Sequence, residues 1–522
     1  MKADPATAER IGLTWLLAAV APVGSFGRRY DETIAPYGPG DEPRALAEIG
    51  AVAALAQRLD RDAAGRVRTA LRAVPDPAPI VGRARAGDPL DDVDFYELGR
   101  FVDALDALAR AWDGAQGPPA ARPPAADALR EVLAPGREGA GFYLADAYAP
   151  DLNAARAALA GAEAGYEVRR EELAARVRDA TGVDAVGDEF VVLRDVYDGP
   201  LPAGVVVVRE TPTYRVAMIR VVAPERDAAL ERLAIEEERA RRALAERVAR
   251  EADAVAAVTR ALGALDRALA RAAFAQRWGA CVPALTGERV SFAGATFAPL
   301  ADALAARGHR YTPLSLDLRG VAVLTGPNMG GKSAALATAG FLCACIALGV
   351  PPPAREASLP LLGDVVWIGG EGHEDRARLL SSYAAEIVRA RDALAIVSPR
   401  ALVLVDEFAR TTGPREGRAL LIAFAEALRA RGAFALVATH FEGVAEAASV
   451  PHLRIAGLSD GALGAVVAGD LDAALDAINA AMDYRVVDAR SGSESSDALA
   501  LARLLGLDPA VIERAHTLHD DG

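Results

Sequence analysis

The stretch Gly326-Pro327-Asn328-Met329-Gly330-Gly331-Lys332-Ser333 decides the fold of this chain. It fits the pattern G-x-x-x-x-G-K-S, which is the phosphate-binding loop of nucleoside triphosphatases. Its glycines let backbone N–H groups turn towards phosphate oxygens, and the following helix offers the positive end of its dipole to the same anion. Lys332 is expected to reach the β- and γ-phosphates, and Ser333 to hold Mg²⁺. The stretch therefore predicts a protein that binds and hydrolyses ATP.

The sequence around this loop supports the same prediction. Lysine occurs only at positions 2 and 332 of the 522 residues, so Lys332 stands out against a background of arginine. Residues 320–325 are a short apolar run that predicts a buried strand, and residues 333–348 are alanine-rich and free of proline, which favours a helix. Strand, glycine-rich turn and helix follow in the order that a phosphate-binding loop requires.

Composition is that of an ordinary soluble protein, with 52% hydrophobic and 25% charged residues. The length suggests about three or four domains. The net charge of −14 gives no overall attraction to nucleic acid or to an anionic membrane. The cysteines at positions 281, 343 and 345 form no C-x-x-C pair, so we expect neither a disulfide framework nor a zinc site, and a reducing cytoplasm fits.

Two further patterns bear on the membrane and on export. No run of residues is long enough and apolar enough to span a bilayer, so we expect no membrane partner. Residues 11–23 are apolar, but Asp4 and Glu9 offset the positive charges that precede this run. We therefore expect a buried amphipathic helix here and not a signal peptide.

Periodicity divides the chain into four predicted segments. Helical spacing of apolar residues is clearest over residues 46–71 and 96–112. The third segment alternates strands and helices, which is typical of a parallel α/β sheet. In chain order the segments are a helical core (1–150), an arm with a β-rich tip (151–285, with the tip at about 181–222), a P-loop ATPase domain (286–450) and a C-terminal helical segment (451–522).

The second segment has the pattern of an arm that runs out and back. A charged helix is expected over residues 150–180, and the tip contains two strand-like runs, 190–193 and 205–209. A helix over residues 225–262, interrupted at Gly263, would span roughly 57 Å on the return. Its charged faces predict that it is solvated on most sides.

Two more apolar runs end in residues that suit ATP chemistry. Residues 401–407 predict a strand that ends in Asp406 and Glu407. At this place the first acid usually holds the Mg²⁺ shell, and the second orients and deprotonates the attacking water as general base. Residues 433–440 predict a third strand that ends in His440, where a histidine can sense the γ-phosphate or polarise the water.

These motifs resemble those of the MutS family, the DNA mismatch-repair ATPases. The Pro327-Asn328-Met329 insert is much more specific to that family than the general loop pattern. Asp406-Glu407-Phe408-Ala409-Arg410-Thr411-Thr412 is similar to the family's Asp-Glu-Ile-Gly-Arg-Gly-Thr. Ala438-Thr439-His440-Phe441 is similar to its Ala-Thr-His-Tyr, and residues 504–515 are similar to its C-terminal end.

The resemblance implies further contacts. Ser381-Ser382-Tyr383-Ala384-Ala385-Glu386 resembles the family segment Ser-Thr-Phe-Met-Val-Glu, which reaches across a dimer to the partner's nucleotide. It implies a homodimer in which Ser381 and Ser382 contact ATP, although Leu379-Leu380 replaces the usual Gly-Arg. Tyr311 falls where the family tends to place an aromatic ring that stacks on adenine.

The resemblance also implies a fold, from about residue 12 onward. The expected class is multidomain α plus α/β: a helical core with long lever helices and a small β clamp tip, followed by a P-loop ATPase domain of the ABC/MutS type. We expect a short member without the mismatch-reading domain of full-length members, because the predicted helical core begins near residue 1. Phe95-Tyr96-Glu97 mimics that domain's Phe-x-Glu wedge, but it starts a helical pattern, so we expect helix packing.

The tip is poorly suited to DNA. Residues 181–222 contain four arginines and six acids, without lysine, for a net charge of −2. Because DNA affinity comes largely from the neutralisation of phosphates, such a tip should bind a duplex weakly.

Three functions stay open at this point. The first is a dimeric ATPase that clamps duplex or branched DNA, related to mismatch repair. The second is a MutS-like ATPase subunit of a reactivase for a cobalamin-dependent aminomutase, which acts on a client protein and not on DNA. A transporter-type or chromosome-structuring ATPase is disfavoured, because the chain lacks their Leu-Ser-Gly-Gly motif.

Overall fold

A computed structural model describes residues 1–139, 141–187, 189–327, 331–369, 382–409, 412–458, 482–489, 502 and 507–520. The chain divides into two compact units. The first unit comprises Met1–Arg72, Ala111–Arg122 and Leu262–Gly522, and the second comprises Ala73–Arg110 and Pro123–Ala261. This grouping differs from the four consecutive segments that the sequence suggests, because residues 1–72 fold together with the C-terminal half.

The helices of the described residues, in chain order, are α1 Pro5–Arg10, α2 Leu13–Ala19, α3 Ser25–Glu32, α4 Glu42–Arg58, α5 Arg61–Arg72, α6 Ala78–Ala86, α7 Asp92–Gly114, α8 Asp127–Leu133, α9 Leu152–Thr181, α10 Pro224–Arg250, α11 Ala252–Trp278, α12 Ala298–Ala305, α13 Lys332–Ala347, α14 Ser382–Ile396, α15 Pro414–Ala430, α16 Val444–Ala448 and α17 Pro509–Asp520. Short 3₁₀ turns lie at Pro119–Ala121, Ala134–Gly136 and Asp146–Tyr148.

The strands are β1 Arg137–Glu138, β2 Gly141–Phe142, β3 Glu189–Leu193, β4 Val205–Glu210, β5 Tyr214–Ile219, β6 Ala284–Leu285, β7 Val290–Ala295, β8 Leu314–Leu318, β9 Val321–Thr325, β10 Glu356–Leu359, β11 Asp364–Gly369, β12 Ala401–Asp406, β13 Phe434–Ala438, β14 His452–Leu458 and β15 Met482–Asp488. The fold is thus mixed α/β with several sheets, as expected.

The first unit is built on a six-stranded sheet in the order β11-β12-β13-β9-β14-β15. The first five strands are parallel, and β15 pairs antiparallel with β14. Every residue of β12 and β13 is buried, as is usual for parallel strands that are covered on both faces. The strands predicted at 320–325, 401–407 and 433–440 are confirmed as β9, β12 and β13, and the helix predicted over 333–348 is confirmed as α13.

The C-terminal segment was expected to be helical, and this is wrong over its first part. β14 and β15 extend the sheet beyond residue 450. The physical reason is tertiary: β14 pairs with β9, and Ile455 is fully buried in the core around α13. Helix formation is observed later in the segment, at α17.

The N-terminal residues complete the edge of the same sheet. The backbone N–H of Lys2 donates to the carbonyl of Gly363, and the backbone N–H of Trp367 in β11 donates to Thr7 Oγ1. The apolar run at 11–23 is buried through residues such as Ile11 and Leu16, but it forms the short helix α2 after a left-handed turn at Gly12. Among the described residues, no helix is both long and apolar enough to cross a bilayer.

The second unit contains a three-stranded antiparallel sheet in the order β3-β5-β4. One face packs through Phe190, Val192 and Ala217 onto Leu173 and Val177 of α9. The helix predicted over 150–180 and the strands at 190–193 and 205–209 are confirmed, whereas β5 was not foreseen.

Phe95 is fully buried in α7 with its ring 5.4 Å from that of Phe142, which confirms helix packing for the Phe95-Tyr96-Glu97 triplet.

Two long stretches with a helical pattern each form two helices in the structure. The run at 46–71 forms α4 and α5, because Asp60 accepts a hydrogen bond from Ala63 N–H and starts a new helix. The run at 225–262 breaks at Glu251, between α10 and α11, and continues through Gly263. Glycine is required there by packing and not as a breaker, since an added Cβ would lie 2.7 Å from the Cβ of Tyr30.

Candidate functional site

The predicted site residues converge at the carboxyl edge of the six-stranded sheet. β9 leads into the glycine-rich loop that ends at Gly331, β12 ends in Asp406 and is followed by Glu407, and β13 is followed shortly by His440. Parallel neighbours place these three strand ends side by side. This edge is where ligands bind in open α/β sheets.

The glycine-rich loop needs glycine at both described ends. Gly326 has φ +146°, and a Cβ there would lie 2.9 Å from the Cβ of Ile455. Gly331 has φ +88° and is the residue from which α13 starts. Both conformations are accessible to glycine at little cost. Asn328, Met329 and Gly330 lie outside the described residues, so their phosphate contacts stay predictions.

Lys332 is a buried cation that is held by acceptors. The residue is 5% exposed, and its Nζ donates to the carbonyls of Gly326 at 2.9 Å and Pro327 at 3.2 Å. The same Nζ lies 3.8 Å from Glu407 Oε1. Burial lowers the pKa of Lys332, while Glu407 and Asp406 oppose that shift. An ammonium in these surroundings is well placed to bind phosphate oxygens.

Ser333 and Asp406 form a pair of hard oxygen ligands. Ser333 Oγ donates to Asp406 Oδ1 at 3.1 Å. Burial raises the pKa of Asp406, and the Ser333 hydrogen bond opposes that shift. A hydroxyl and a carboxylate oxygen suit Mg²⁺, which keeps much of its coordination for water and phosphate. No cluster of three or more His, Cys, Asp or Glu side chains that could hold a metal occurs within the described ranges.

The turn after β12 is strained. Glu407 has φ 54° and Ala409 has φ 62°, although neither is glycine. The left-handed conformation costs a non-glycine residue roughly 1–2 kcal/mol. Hydrogen bonds hold the turn at both ends: Glu407 N–H donates to Ala438 O at 3.0 Å, and Ala409 N–H donates to Glu386 Oε2 at 2.9 Å. Such strain is typical of functional sites.

Sequence reasoning missed the part played by Glu386. The sequence analysis of residues 381–386 assigns a role to the serines only. The sequence feature that could have revealed Glu386 is its position as a glutamate near the start of α14. Ser381 lies outside the described residues, and Ser382 starts α14 but its side chain is not described. Their predicted role across a dimer stays a prediction.

The two remaining predicted residues differ in accessibility. His440 is exposed, and its ring packs 4.4 Å from that of Phe441. The Tyr311 hydroxyl is buried, and this burial raises the pKa of the phenol. An adenine contact by Tyr311 would therefore use the ring and not the hydroxyl, and it stays a prediction.

Gly369 is a second residue that the sequence did not reveal, although it ends an apolar strand in a Gly-Gly pair. It ends β11 with φ +89°, and a Cβ there would lie 2.0 Å from the carbonyl oxygen of Asp406. Because both strands are fixed in the sheet, only a residue without a side chain leaves Asp406 in place.

We expect Gly369→Ala to lower the free energy of unfolding far more than the same substitution does at another glycine with positive φ. Gly432→Ala is the matched control, since Gly432 has φ +69° but its added Cβ would meet nothing closer than 3.7 Å. The control should cost about 1–2 kcal/mol, the strain of one left-handed residue, and Gly369→Ala should cost several times more. Urea unfolding measures both, and equal losses would contradict the steric argument.

Known proteins are similar in sequence to the part of the chain that contains this site. The family model described as MutS domain V matches residues 322–521. An "Endonuclease MutS2" from Anaeromyxobacter sp. (strain Fw109-5) is 34% identical over 236 residues, and one from Pelotomaculum thermopropionicum is 28% identical over 404 residues. A "DNA mismatch repair protein MutS" from Granulibacter bethesdensis is 34% identical over 218 residues.

These matches cover 44%, 74% and 41% of this chain, in the same order. They cover 27%, 48% and 23% of the relatives, so the chain spans less than half the length of each. The domain match includes the loop, β12 and β13, where the site residues lie. Residues 322–521 of this chain therefore match domain V of the MutS family.

Proposed function

We propose that this protein binds ATP with Mg²⁺ at the carboxyl edge of the large sheet and hydrolyses it. One observation carries the proposal: the two loop residues and the two acids predicted for this chemistry lie together. Lys332 Nζ is 3.8 Å from Glu407 Oε1, and Ser333 Oγ is 3.1 Å from Asp406 Oδ1. A loop lysine, a loop serine and acids at a strand end recur in P-loop ATPases, where catalysis comes mostly from positioning and electrostatic stabilisation.

Each side chain has a distinct task in this proposal. Lys332 exchanges its two loop carbonyls for β- and γ-phosphate oxygens, and the start of α13 binds the same phosphates. Mg²⁺, when bound by Ser333 and Asp406, neutralises negative charge that develops on the transferred phosphoryl group. Glu407 accepts a proton from the attacking water, and His440, which follows β13, senses the γ-phosphate.

Variants of the site should separate binding from hydrolysis. Lys332→Ala should lower both ATP affinity and turnover, with turnover reduced about a hundredfold or more. Glu407→Gln should keep ATP bound and lower turnover by about 10²–10⁴-fold, the usual contribution of a general base. Steady-state phosphate release and nucleotide binding measure these effects.

The other lysine of the chain provides the control. The backbone of Lys2 forms a parallel β-bridge with Asp364, the first residue of β11. Lys2 therefore lies at the amino end of the parallel strands, and the proposed site lies at their carboxyl end. Lys2→Ala should leave turnover unchanged. Undiminished hydrolysis by Lys332→Ala would exclude the proposed site.

We further propose that two copies of the chain associate when ATP is bound. The support is the family resemblance of residues 381–386, in which Ser381 and Ser382 of one subunit would contact the nucleotide of the other. α9 and α10 would then act as lever helices, with the β3-β5-β4 sheet as the tip of a clamp.

Static light scattering tests the association. The Glu407→Gln variant with ATP and Mg²⁺ should move from the chain mass of 54.3 kDa to twice that value, because ATP persists in its site. Lys332→Ala under the same conditions should stay a monomer. A Glu407→Gln protein that is strictly monomeric with saturating ATP would rule out a shared nucleotide site.

DNA is the first candidate partner, because the relatives are named for an endonuclease and for DNA mismatch repair. The tip offers little positive charge for it. Arg194 is paired with Asp198 and Glu210, and Arg215 is buried and donates to two carbonyls of the tip. Of the four tip arginines, Arg209 and Arg220 are exposed to solvent.

A second candidate partner is a client protein, as in a reactivase for a cobalamin-dependent aminomutase. The observation that favours it is the solvent-facing side of the tip sheet. Val191 and Leu193 of β3 are exposed, and so is Val206 of β4, whose cross-strand neighbour is Met218. An apolar face suits protein contact better than contact with phosphates.

Steady-state ATPase rates decide between the two partners. If DNA is the partner, duplex, mismatched or branched DNA should stimulate turnover at low salt, and the stimulation should fall as salt rises. Replacement of both Arg209 and Arg220 by alanine should weaken the effect, whereas Arg226→Ala, outside the tip, should not. A robust basal rate that no DNA changes would favour the client protein.

A further inference from the structure

We propose that Glu386 is a positioning residue for hydrolysis. Its carboxylate accepts the N–H of Ala409 and thereby holds the left-handed turn from which Glu407 projects towards Lys332. This inference rests on the proposed function, in which Glu407 is the general base.

The turn cannot keep its shape through local preference. Glu407 and Ala409 both have φ values that side chains rarely adopt, with Phe408 between them. An isolated Glu-Phe-Ala segment would relax towards φ below zero, and the Glu407 carboxylate would rotate away from its present place. Contacts from other elements must therefore maintain the turn.

Those contacts are visible on both sides of the turn. Before it, Glu407 N–H donates to Ala438 O, which ties the start to β13. Within it, Phe408 is buried with its ring 5.6 Å from that of Phe424. After it, Ala409 N–H meets the Glu386 carboxylate, and a charged acceptor makes this a strong hydrogen bond.

Glu386 can do this because α14 itself is well anchored. Arg389, one turn later, donates to Trp367 O at 3.4 Å and lies 3.5 Å from Asp4. Ala390 and Ala393 of the same helix are buried in the core beside β12. The carboxylate is therefore placed by a fixed helix, and the orientation of Glu407 depends on a side chain that touches no reacting atom.

The test uses Glu386→Ala and Glu386→Gln in the full chain. Glu386→Ala removes the acceptor, so kcat should fall about 10–100-fold, as expected for a displaced catalytic group. The KM and the Kd for ATP should stay within about twofold, because the phosphate loop is untouched. Glu386→Gln keeps an oxygen that can accept the Ala409 N–H, so it should restore kcat to within about threefold of the unaltered protein.

Asp392→Ala is the matched control, since Asp392 is an exposed acid on the same helix, paired with its neighbour Arg391. It should leave kcat unchanged. A kcat for Glu386→Ala equal to that of the control would overturn the proposal, and so would a Glu386→Gln protein as slow as Glu386→Ala, since the charge and not the hydrogen bond would then matter.

Two further outcomes are distinguishable. If the alanine variant does not fold, Glu386→Asp replaces it: its shorter side chain should fail to reach Ala409, and a kcat equal to that of Glu386→Gln would overturn the proposal. If the unaltered protein does not hydrolyse ATP, or if Lys332→Ala hydrolyses it equally fast, the proposed function itself is wrong. The role of Glu386 then fails with it, whatever the Glu386 variants show.

Discussion

The burial of one ammonium group sets the conditions for the rest of the site. A buried cation is costly unless oxygen acceptors surround it. Lys332 meets this condition through two loop carbonyls and through the carboxylates at the end of β12. The loop can turn those carbonyls inward only with glycine at Gly326 and Gly331, whose φ values are positive. The conformation of the loop and the burial of Lys332 are therefore linked.

Crowding at the strand ends then fixes the acids. The carbonyl oxygen of Asp406 occupies the space in which residue 369 would carry a side chain, and its carboxylate is hydrogen-bonded to Ser333. The chain leaves β12 in a left-handed turn, and in this turn Glu407 lies 3.8 Å from Lys332. Burial and backbone strain are concentrated in the same few residues, where chemistry is expected.

Much of this could be predicted from the sequence, and the reasons are physical. β9, β12 and β13 are continuous apolar runs, and the loop has a fixed spacing, so local pattern is enough to place them. The extension of the sheet by β14 depends on its pairing with β9, a distant part of the chain, which periodicity does not encode. The roles of Gly369 and Glu386 could not be predicted for the same reason. Gly369 contacts Asp406, 37 positions away, and Glu386 contacts Ala409, 23 positions away.

The attachment of the N-terminal helices to β11 has a consequence for how the protein is made. Thr7 and Trp367 are hydrogen-bonded partners 360 residues apart. At about 5–20 residues per second, a ribosome reaches the second roughly 20–70 s after the first. Ile11 and Leu16 are fully buried in the finished fold, in a core that they share with α13 and with strands of the sheet that are made much later. The first unit is therefore completed late and through very long-range contacts, the situation in which folding is slow and newly made chains need protection from aggregation.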